Sequence, residues 1–423
     1  MAEETFLTDD FLRQLMSVGQ VDLLVGIPSH NDARTIAKTV EAVEASFRQY
    51  FPRDRVVIVN VDGGSRDATP ELVLNGAPEP DSISQALTSL RTERRISTRY
   101  SDAPSQGLAL RSILAATDLL GAKATAVVSP HTSHFDATWI KSLLEPAYRE
   151  KFDFVSPLYS RPKFDGLLAR NLLYPLSRAV FGRGIRELHS ADLGFSGRLA
   201  TQCLNQDVWH EDAVRAAPEM WMAIAAICSG YPNCQTFLGP RAHAATSSGT
   251  DIVAAVRQTV GTLFWCMETQ QSFWMERNAS TSVPAFGSDH ELTSDTVHIN
   301  RERIFQLFQK GVAELSPILK SILSEETLAQ IEHGTALDER AFRFGNELWA
   351  RAVCEFAASY HREVLNRDHL VQALVPLYRG RICSFLSEHQ NSSPEEIESD
   401  TESLCLEFER QKPYLIERWK VKS

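Results

Sequence analysis

One pattern occurs twice early in the chain: an apolar run ends in a short polar turn, and a helical pattern begins at once. It occupies Val21–Ile36 and again Arg55–Thr69. A buried parallel strand is nearly continuous in apolar residues, whereas a helix repeats them every three or four positions. The pattern therefore predicts two successive βα units and an α/β fold with a mostly parallel sheet. Pro28 is expected to end the first strand, and Asn31 or Asp32 to cap the helix after it.

The polar turns of both units lie where a ligand is expected, because an open α/β sheet binds ligands at the carboxyl ends of its strands. Pro28–Asp32 forms the first turn. Asp62 ends the second strand, and Asp67 stands near the start of the next helix. Between them, Gly63 and Gly64 permit close approach of the backbone to a ligand. Either turn alone is explained by a simple strand-to-helix connection, but two equivalent turns favour a binding site.

Length and composition indicate a globular protein of two domains. The chain has 423 residues, of which 43% are hydrophobic and 23% charged, and a typical domain has roughly 100–200 residues. A net charge of −11 argues against nonspecific nucleic-acid binding, which requires clustered Lys and Arg. The seven cysteines are scattered without the spacing of a zinc knuckle, so we expect buried, reduced thiols.

No segment has the features of a signal peptide or a transmembrane helix. The N-terminal segment Met1–Asp10 is acidic, and no window approaches the ~20 apolar residues that span a bilayer. We therefore expect a cytoplasmic protein.

A third predicted strand, Ala124–Ser129, ends in a turn that carries metal-binding residue types. His131, His134 and Asp136 follow it closely, and imidazoles with a carboxylate can hold a divalent cation. The alternative is a solvated turn, since no established metal-binding spacing is satisfied.

Two acidic residues further along are candidate catalytic groups. Asp192 lies in a loop or edge strand rich in small residues, where it is either catalytic or caps a turn. Glu219 follows Pro218 at the start of a predicted helix, a position that favours a carboxylate electrostatically in any protein.

From residue 251 the pattern becomes wholly helical. The polar stretch Asn278–Thr296 reads as a linker or a long active-site loop, and residues 297–423 form the main helical part. Ser393 begins the clearest helix, because Pro and two Glu follow it. We predict a domain over residues 1–250 that binds and turns over a ligand, and a helical domain over 251–423.

Three stretches of the first domain resemble the nucleotide-side motifs of GT-A fold glycosyltransferases. They are Val25–Ile36, Val61–Thr69 and Gln106-Gly-Leu-Ala-Leu-Arg111, and their order and spacing match those of the glucosylglycerate, mannosylglycerate and glucosyl-3-phosphoglycerate synthases. The resemblance covers roughly residues 20–275, including Gln258–Phe264, which is similar to the first helix after the catalytic domain. It implies a GT-A α/β domain followed by an all-α domain.

The resemblance also implies roles for individual residues. Pro28, Ser29 and Asn31 would line the nucleotide pocket beside Gly63, and Asp62 would hydrogen-bond the base or ribose. Gln106 and Gly107 would approach the diphosphate.

The metal half of the site departs from the family pattern. Ser129-Pro-His131 stands where the family has Asp-x-Asp, and Trp139-Ile140 fixes that register. His243 falls at the family's metal-ligating histidine. Carboxylates hold Mg²⁺ or Mn²⁺ against the sugar-nucleotide diphosphate, whereas serine and imidazole are weaker ligands for Mg²⁺. The resemblance thus implies a divalent cation, Mg²⁺ or Mn²⁺, held by His131 and His243, with weaker ligands than usual.

The sequence therefore predicts a hexosyltransferase that uses a nucleoside diphosphate sugar and a small hydroxylated acceptor, with retention of configuration as in the resembled synthases. Arg161 and Lys163 are candidates to bind an anionic acceptor. One alternative is a nucleotide-sugar-binding or scaffold protein that lost turnover with Asp-x-Asp. A nucleotidyltransferase is a weaker one, since Pro28–Asp32 lacks the basic, glycine-rich loop it needs. The protein could form a homo-oligomer under any of these functions.

Overall fold

The computed structural model of the chain describes residues 6–75, 94–99, 106–130, 136–240, 252–288 and 300–421. It contains two compact units, each assembled from three segments. The first unit comprises Met1–Ser160, His189–Ser248 and Val283–Glu291, and the second comprises Arg161–Leu188, Gly249–Ser282 and Leu292–Ser423. The predicted boundary at residue 250 would make each domain one continuous segment of the chain. In the structure, residues 161–188 group with the C-terminal helices instead.

The first unit is built on one sheet whose described strands are almost all parallel. Its order is β3-β2-β1-β4-β6-β5-β7-β8, and only β6 runs antiparallel to its neighbours β4 and β5. The strands are β1 Leu23–Ser29, β2 Val56–Asp62, β3 Arg94–Arg99, β4 Ala124–Val127, β5 Phe154–Ser160, β6 Leu193–Ser196, β7 Asn233–Pro240 and β8 Ala285–Phe286.

Helices cover both faces of this sheet. Those described in the first unit are α1 Asp9–Val18, α2 Ile36–Tyr50, α3 Thr69–Asn75, α4 Gln106–Leu119, α5 Ala137–Tyr148, α7 Gly197–Leu204, α8 Asp212–Ala216 and α9 Pro218–Cys228. On one face, α2 and α5 pack on alternate residues of β1 and β2, such as Val25 and Ile58. On the other face, Gly26 makes room for Ile113 of α4.

Two local predictions at the first turn are wrong. Strand β1 continues through Pro28 to Ser29, because its pairing with β4 ends at Gly26 and Pro28 is paired only on the β2 side. Helix α2 begins at Ile36 after Thr35, which makes no side-chain cap, and the Asp32 carboxylate instead accepts a hydrogen bond from the His30 backbone.

The predicted edge strand around Asp192 is also corrected. Strand β6 lies in the middle of the sheet, between β4 and β5. Its small residues are needed there, since a Cβ on Gly194 would lie 2.2 Å from the carbonyl oxygen of Leu143 in α5.

The described part of the second unit is dominated by helices. A π-helical turn, Ala169–Leu173, leads into α6 Tyr174–Phe181. The remaining helices are α10 Ile252–Thr269, α11 Gln271–Met275, α12 Arg301–Glu314, α13 Ser316–Ile322, α14 Glu325–Thr335, α15 Asn346–His361, α16 Arg367–Glu388 and α17 Pro394–Lys420. Ser393 starts α17 with the predicted capping box.

The predicted fold class is therefore confirmed: an α/β domain with a mostly parallel sheet is followed by helices after residue 250. Among the helices of the described residues, none combines the length and apolar character needed to cross a bilayer.

Candidate functional site

The buried carboxylate of Asp62 organises the turns that follow β1 and β2. Its Oδ2 atom accepts hydrogen bonds from the backbone N–H groups of Gly64 (3.0 Å) and Ser65 (2.8 Å). Its Oδ1 atom accepts from the hydroxyls of Ser65 (2.5 Å) and Ser29 (3.4 Å). The N–H of Gly63 donates to the Ser29 carbonyl oxygen at 2.7 Å. Asp62 thus binds its own turn and touches the end of the neighbouring strand.

Further hydrogen bonds join the two turns directly. His30 Nδ1 lies 3.0 Å from the Gly63 carbonyl oxygen, and the Asn31 N–H donates to Ser65 Oγ at 2.8 Å. The Arg66 N–H in turn donates to Asn31 Oδ1 at 2.9 Å. Asn31 adopts a left-handed conformation, φ 58°, which asparagine tolerates better than most residues. The two turns therefore form one hydrogen-bonded surface with His30, Asn31 and Arg66 exposed on it.

A buried asparagine supports this surface from within the sheet. Asn60 Nδ2 donates to the Ile27 carbonyl oxygen (2.9 Å) and to Ser29 Oγ (2.7 Å), and its Oδ1 accepts from Ser97 Oγ (2.9 Å). Since Ser29 Oγ accepts from Asn60, its own proton points to Asp62. At the rim, Arg99 donates to the Ser65 carbonyl oxygen.

Five of the predicted nucleotide-binding residues therefore come together at the carboxyl ends of β1 and β2: Pro28, Ser29, Asn31, Asp62 and Gly63. Their contact with a nucleotide stays a prediction. Asp62 itself is fully buried, so its visible role is to hold the turns in place.

The predicted diphosphate residues begin α4. Gln106 is exposed, and Gly107 is buried against α8. A Cβ on Gly107 would lie 2.7 Å from the Arg215 Cα atom. Helix packing by itself therefore requires glycine at this position, whatever its role toward a ligand.

Asp192 lies beside Ser129, which follows the end of β4. Because β6 pairs with β4 through Leu193 and Val127, the preceding Asp192 reaches the backbone of Ser129. Its Oδ1 accepts from the Ser129 N–H at 2.8 Å, and its Oδ2 accepts from the Tyr159 hydroxyl at 2.6 Å. Asp192 is fully buried. A carboxylate is thus fixed next to Ser129 although the sequence there is not acidic.

Tyr159 holds Asp192 from the end of β5. Its hydroxyl also contacts Ser190 Oγ at 2.9 Å, and its ring centroid lies 5.8 Å from that of Trp139. The Ser190 hydroxyl accepts from the Asp192 N–H at 3.2 Å. Tyr159 therefore orients the carboxylate, and Ser190 contacts both the Tyr159 hydroxyl and the Asp192 backbone.

Glu219, the second candidate catalytic acid, is buried at the start of α9 and pairs with His189 Nδ1. The His189 side chain is 35% exposed, compared with 9% for Glu219, so the imidazole covers the carboxylate. His189 belongs to the same loop as Ser190 and Asp192. The short loop that contains Asp192 thus also contacts Glu219, through His189.

Both predicted metal ligands, His131 and His243, lie outside the described residues, as does His134. Within the described ranges, no group of three His, Cys, Asp or Glu side chains is arranged to hold a metal ion. Ser129 is buried, and both oxygens of Asp192 already accept hydrogen bonds. The described residues therefore do not by themselves fit a divalent cation.

The predicted acceptor residues lie in the second unit and already have partners. Arg161 binds both carboxylate oxygens of Glu187 at 2.8 Å and also Asp165 Oδ2 at 3.0 Å. Lys163 Nζ donates to the Gln390 carbonyl oxygen at 3.0 Å. Their binding of an acceptor stays a prediction.

Sequence reasoning missed Asn60, Ser65 and Tyr159. Ser65 could have been found, because an aspartate followed closely by glycine and serine is typical of a side-chain-stabilised turn. Asn60 and Tyr159 gave no comparable signal, since a single polar or aromatic residue in a strand is common.

No family model matches the chain, and no curated protein matches its sequence. Solved structures of glucosyl-3-phosphoglycerate synthase from Mycobacterium tuberculosis are similar to it. The complex with Mn²⁺, UDP and glucosyl-3-phosphoglycerate is 18% identical, covers 60% of this chain and 83% of its own, and has a TM-score of 0.42. The complex with Mg²⁺ and UDP is 17% identical, covers 60% and 83%, and has a TM-score of 0.39. The likeness is one of fold alone.

Proposed function

We propose that the protein is a glycosyltransferase, which moves a hexose from a nucleoside diphosphate sugar to a small hydroxylated acceptor, either neutral or anionic. The observation that carries this proposal is the hydrogen-bonded surface formed by the turns after β1 and β2. It combines the residues of two sequence motifs typical of nucleotide-sugar binding with the position where α/β sheets bind ligands. The exposed side chains of Arg66 and Arg99 there suit a negatively charged diphosphate.

In the proposed reaction the acceptor hydroxyl oxygen bonds to the anomeric carbon of the sugar. The bond from that carbon to the diphosphate breaks, the nucleoside diphosphate leaves with the bonding electrons, and the hydroxyl proton passes to a base. Retention of configuration is part of the proposal, after the resembled synthases. Rate enhancement would come from positioning the two substrates and from fixed dipoles around the departing diphosphate.

Asp192 and Glu219 are the proposed catalytic carboxylates. Asp192 has a fixed orientation, because the Ser129 N–H and the Tyr159 hydroxyl bind one oxygen each. Glu219 is held by His189. A divalent cation, if bound, would neutralise charge on the leaving diphosphate, and its predicted ligands are His131 and His243. No step above depends on it.

A nucleotide-sugar-binding protein without turnover is the second candidate. It is favoured by one observation: Ser129 stands where the resembled enzymes have an acid, and the nearby Asp192 carboxylate already accepts hydrogen bonds at both oxygens. Such a protein would keep the nucleotide half of the site and lack the charge needed for transfer.

Calorimetric titration with the common nucleoside diphosphate sugars, with and without Mg²⁺ or Mn²⁺, tests both candidates. We expect at least one donor to bind, and its labelled sugar to appear on water or on a hydroxylated acceptor. Absence of binding by every donor would refute both functions. Binding without turnover across a broad acceptor screen would refute the enzyme and support the binding protein.

A matched pair of variants locates the chemistry. Asp192→Asn removes the charge of a buried carboxylate beside Ser129, and we expect turnover to fall at least tenfold while the donor still binds. Asp153→Asn removes the same charge from a buried carboxylate at the opposite end of β5, where it binds Ser196 Oγ and Arg198. This control should keep its turnover. An equal loss in both variants would show that only stability was affected.

A further inference from the structure

Both ring nitrogens of His30 have a partner in the surface formed by the turns after β1 and β2. His30 Nδ1 lies 3.0 Å from the Gly63 carbonyl oxygen, and Nε2 lies 3.0 Å from Asn31 Nδ2. A carbonyl oxygen only accepts hydrogen bonds, so Nδ1 must carry the proton in the first contact. In the neutral ring Nε2 is then an acceptor, which receives a hydrogen bond from the Asn31 amide.

The orientation of the Asn31 amide is fixed from its other side. The Arg66 N–H donates to Asn31 Oδ1 at 2.9 Å, so the NH2 group of Asn31 faces His30. Rotating the amide by half a turn would place this NH2 group against the Arg66 N–H, where neither group can accept a hydrogen bond. The Asn31 side chain therefore satisfies both neighbours only while His30 is neutral and carries its proton on Nδ1.

A second proton on His30 would break this arrangement. A protonated imidazole donates from both nitrogens, so its Nε2–H would point at the NH2 group of Asn31. The backbone keeps His30 in place, because its N–H donates to Asp32 Oδ2 at 2.8 Å. Asn31 would thus lose a side-chain contact, although its left-handed backbone, φ 58°, is a conformation that surrounding contacts have to maintain.

Charged side chains near the two turns act on a protonated His30 in opposite directions. Carboxylates favour the added proton and arginines oppose it. Among the described residues of the two turns and the end of β3, these groups are Asp32, Asp62, Arg66, Asp67 and Arg99. Salt weakens such charge effects, whereas the conflict between two donors, His30 Nε2–H and the Asn31 NH2 group, remains at high ionic strength.

We infer that neutral His30 is a positioning residue, which holds the Asn31 side chain in the orientation that binds the donor nucleotide. This role rests on the proposed function, because Asn31 is one of the predicted nucleotide-binding residues. The state of the imidazole rests only on the hydrogen bonds of the two turns. Donor binding should weaken as pH falls and His30 takes up a second proton, which an imidazole in water does at about pH 6.5.

Nuclear magnetic resonance of the full chain with isotope-labelled histidine tests the state of the ring without any ligand. The His30 signals are identified by their absence from His30→Gln. We expect the Nδ1–H tautomer of His30 at about pH 8, where an imidazole is neutral, and the Nε2–H tautomer would overturn the inference. His210→Gln is the control, because this imidazole faces Asp207 and Glu211 instead, and it should leave the His30 signals in place.

Donor affinity tests the positioning role. Calorimetry uses UDP-glucose, ADP-glucose and GDP-mannose as probes at about 0.5 M salt, which screens attraction between an exposed charge and the diphosphate. His30→Gln keeps one donor and one acceptor, so at about pH 8 it should bind within about twofold of the wild type. His30→Phe keeps a ring without polar atoms and should bind about three- to tenfold more weakly, the effect of one lost hydrogen bond. Between about pH 8 and about pH 5, the affinity of the wild type should fall by a similar factor, and that of His30→Gln should stay constant.

The outcomes separate this role from the proposed function. Equal donor affinity of His30→Phe and the wild type would overturn the role, and so would equal pH dependence of the wild type and His30→Gln. Donor binding in those samples would still support the proposed function. If His30→Phe does not fold, the comparison of the wild type with His30→Gln decides alone. If no donor binds, the proposed function fails and the positioning role fails with it, while the tautomer result stands.

Discussion

Replacing Asp62 by alanine tests whether this residue holds the turns or contacts the nucleotide. Asp62 is fully buried and accepts hydrogen bonds from the N–H groups of Gly64 and Ser65 and from the hydroxyls of Ser65 and Ser29. Asp62→Ala removes all four acceptor contacts at once. We expect a large loss of stability, because two backbone donors lose their partner.

The magnitude follows from these contacts. Hydrogen bonds to a charged group contribute about 1.5–3 kcal/mol each. The serine hydroxyls can rotate to other acceptors, and the Arg99 contact with Asp62 is a 3.7 Å ion pair whose arginine side chain is mostly exposed, worth about 1 kcal/mol or less. The two backbone N–H groups therefore dominate, and we expect Asp62→Ala to lower the free energy of unfolding by about 3–5 kcal/mol.

Urea denaturation followed by circular dichroism measures this loss. Asp62→Asn should cost less, about 1–2 kcal/mol, because its amide oxygen still accepts from both N–H groups. Asp67→Ala is a suitable control, since the Asp67 carboxylate is exposed, and its hydrogen bonds from the Ala33 and Thr69 N–H groups can be replaced by water, so this variant should lose much less stability than Asp62→Ala.

Binding of a nucleoside diphosphate sugar completes the experiment. If Asp62 acts by holding the turns, Asp62→Asn should bind the donor within a few-fold of the wild type. The reasoning is refuted if Asp62→Ala unfolds within about 0.5 kcal/mol of the wild type, a change typical of surface sites, while donor binding is lost. That result would mean that Asp62 contacts the nucleotide directly.

Three further predictions concern packing, thiol burial and a buried amine. Gly107→Ala should lower the free energy of unfolding by about 1–3 kcal/mol in urea melts, because its Cβ would lie 2.7 Å from Arg215 Cα; unchanged stability would contradict the close packing of α4 on α8. At pH 8 a thiol reagent should label Cys228 first and all seven cysteines only after unfolding, since the other six are buried, and rapid labelling of several would contradict their burial. Burial lowers the pKa of Lys412 to about 8, whereas an unfolded lysine titrates near 10.4. The native state then loses this proton first as pH rises, so the stability of the wild type relative to Lys412→Met should increase between about pH 8 and pH 10.5; a constant difference would show that the lysine is not desolvated.

Local sequence signals were sufficient for much of the fold. The apolar runs before Pro28 and Asp62 predicted β1 and β2, and Ser393 predicted the start of α17. These features depend on neighbouring residues, so a single sequence contains the information. The predicted cap of α2 was wrong although the residues are close in sequence. The Asp32 carboxylate accepts a hydrogen bond from the His30 N–H within the turn and does not cap the helix.

Features that depend on distant partners were not predictable. The place of β6 in the middle of the sheet is set by pairing with β4 and β5, and a four-residue strand carries too little pattern to reveal it. In the same way, the ion pair of Arg161 with Glu187, 26 residues away in sequence, had no local sequence signal. Sequence identifies the charged residues, but only the fold decides which of them are already paired.

The antiparallel β6 brings a carboxylate to the end of β4. In sequence, residues 128–130 after β4 contain no acid, which alone would suggest that negative charge is absent there. The pairing of Leu193 with Val127 brings Asp192 to the Ser129 backbone, so a carboxylate reaches that turn from a neighbouring strand. Tyr159 then limits what this carboxylate can do, because it binds the second oxygen. If Asp192 takes part in transfer, Tyr159→Phe should alter turnover as well as stability, whereas a purely structural pair would change stability alone.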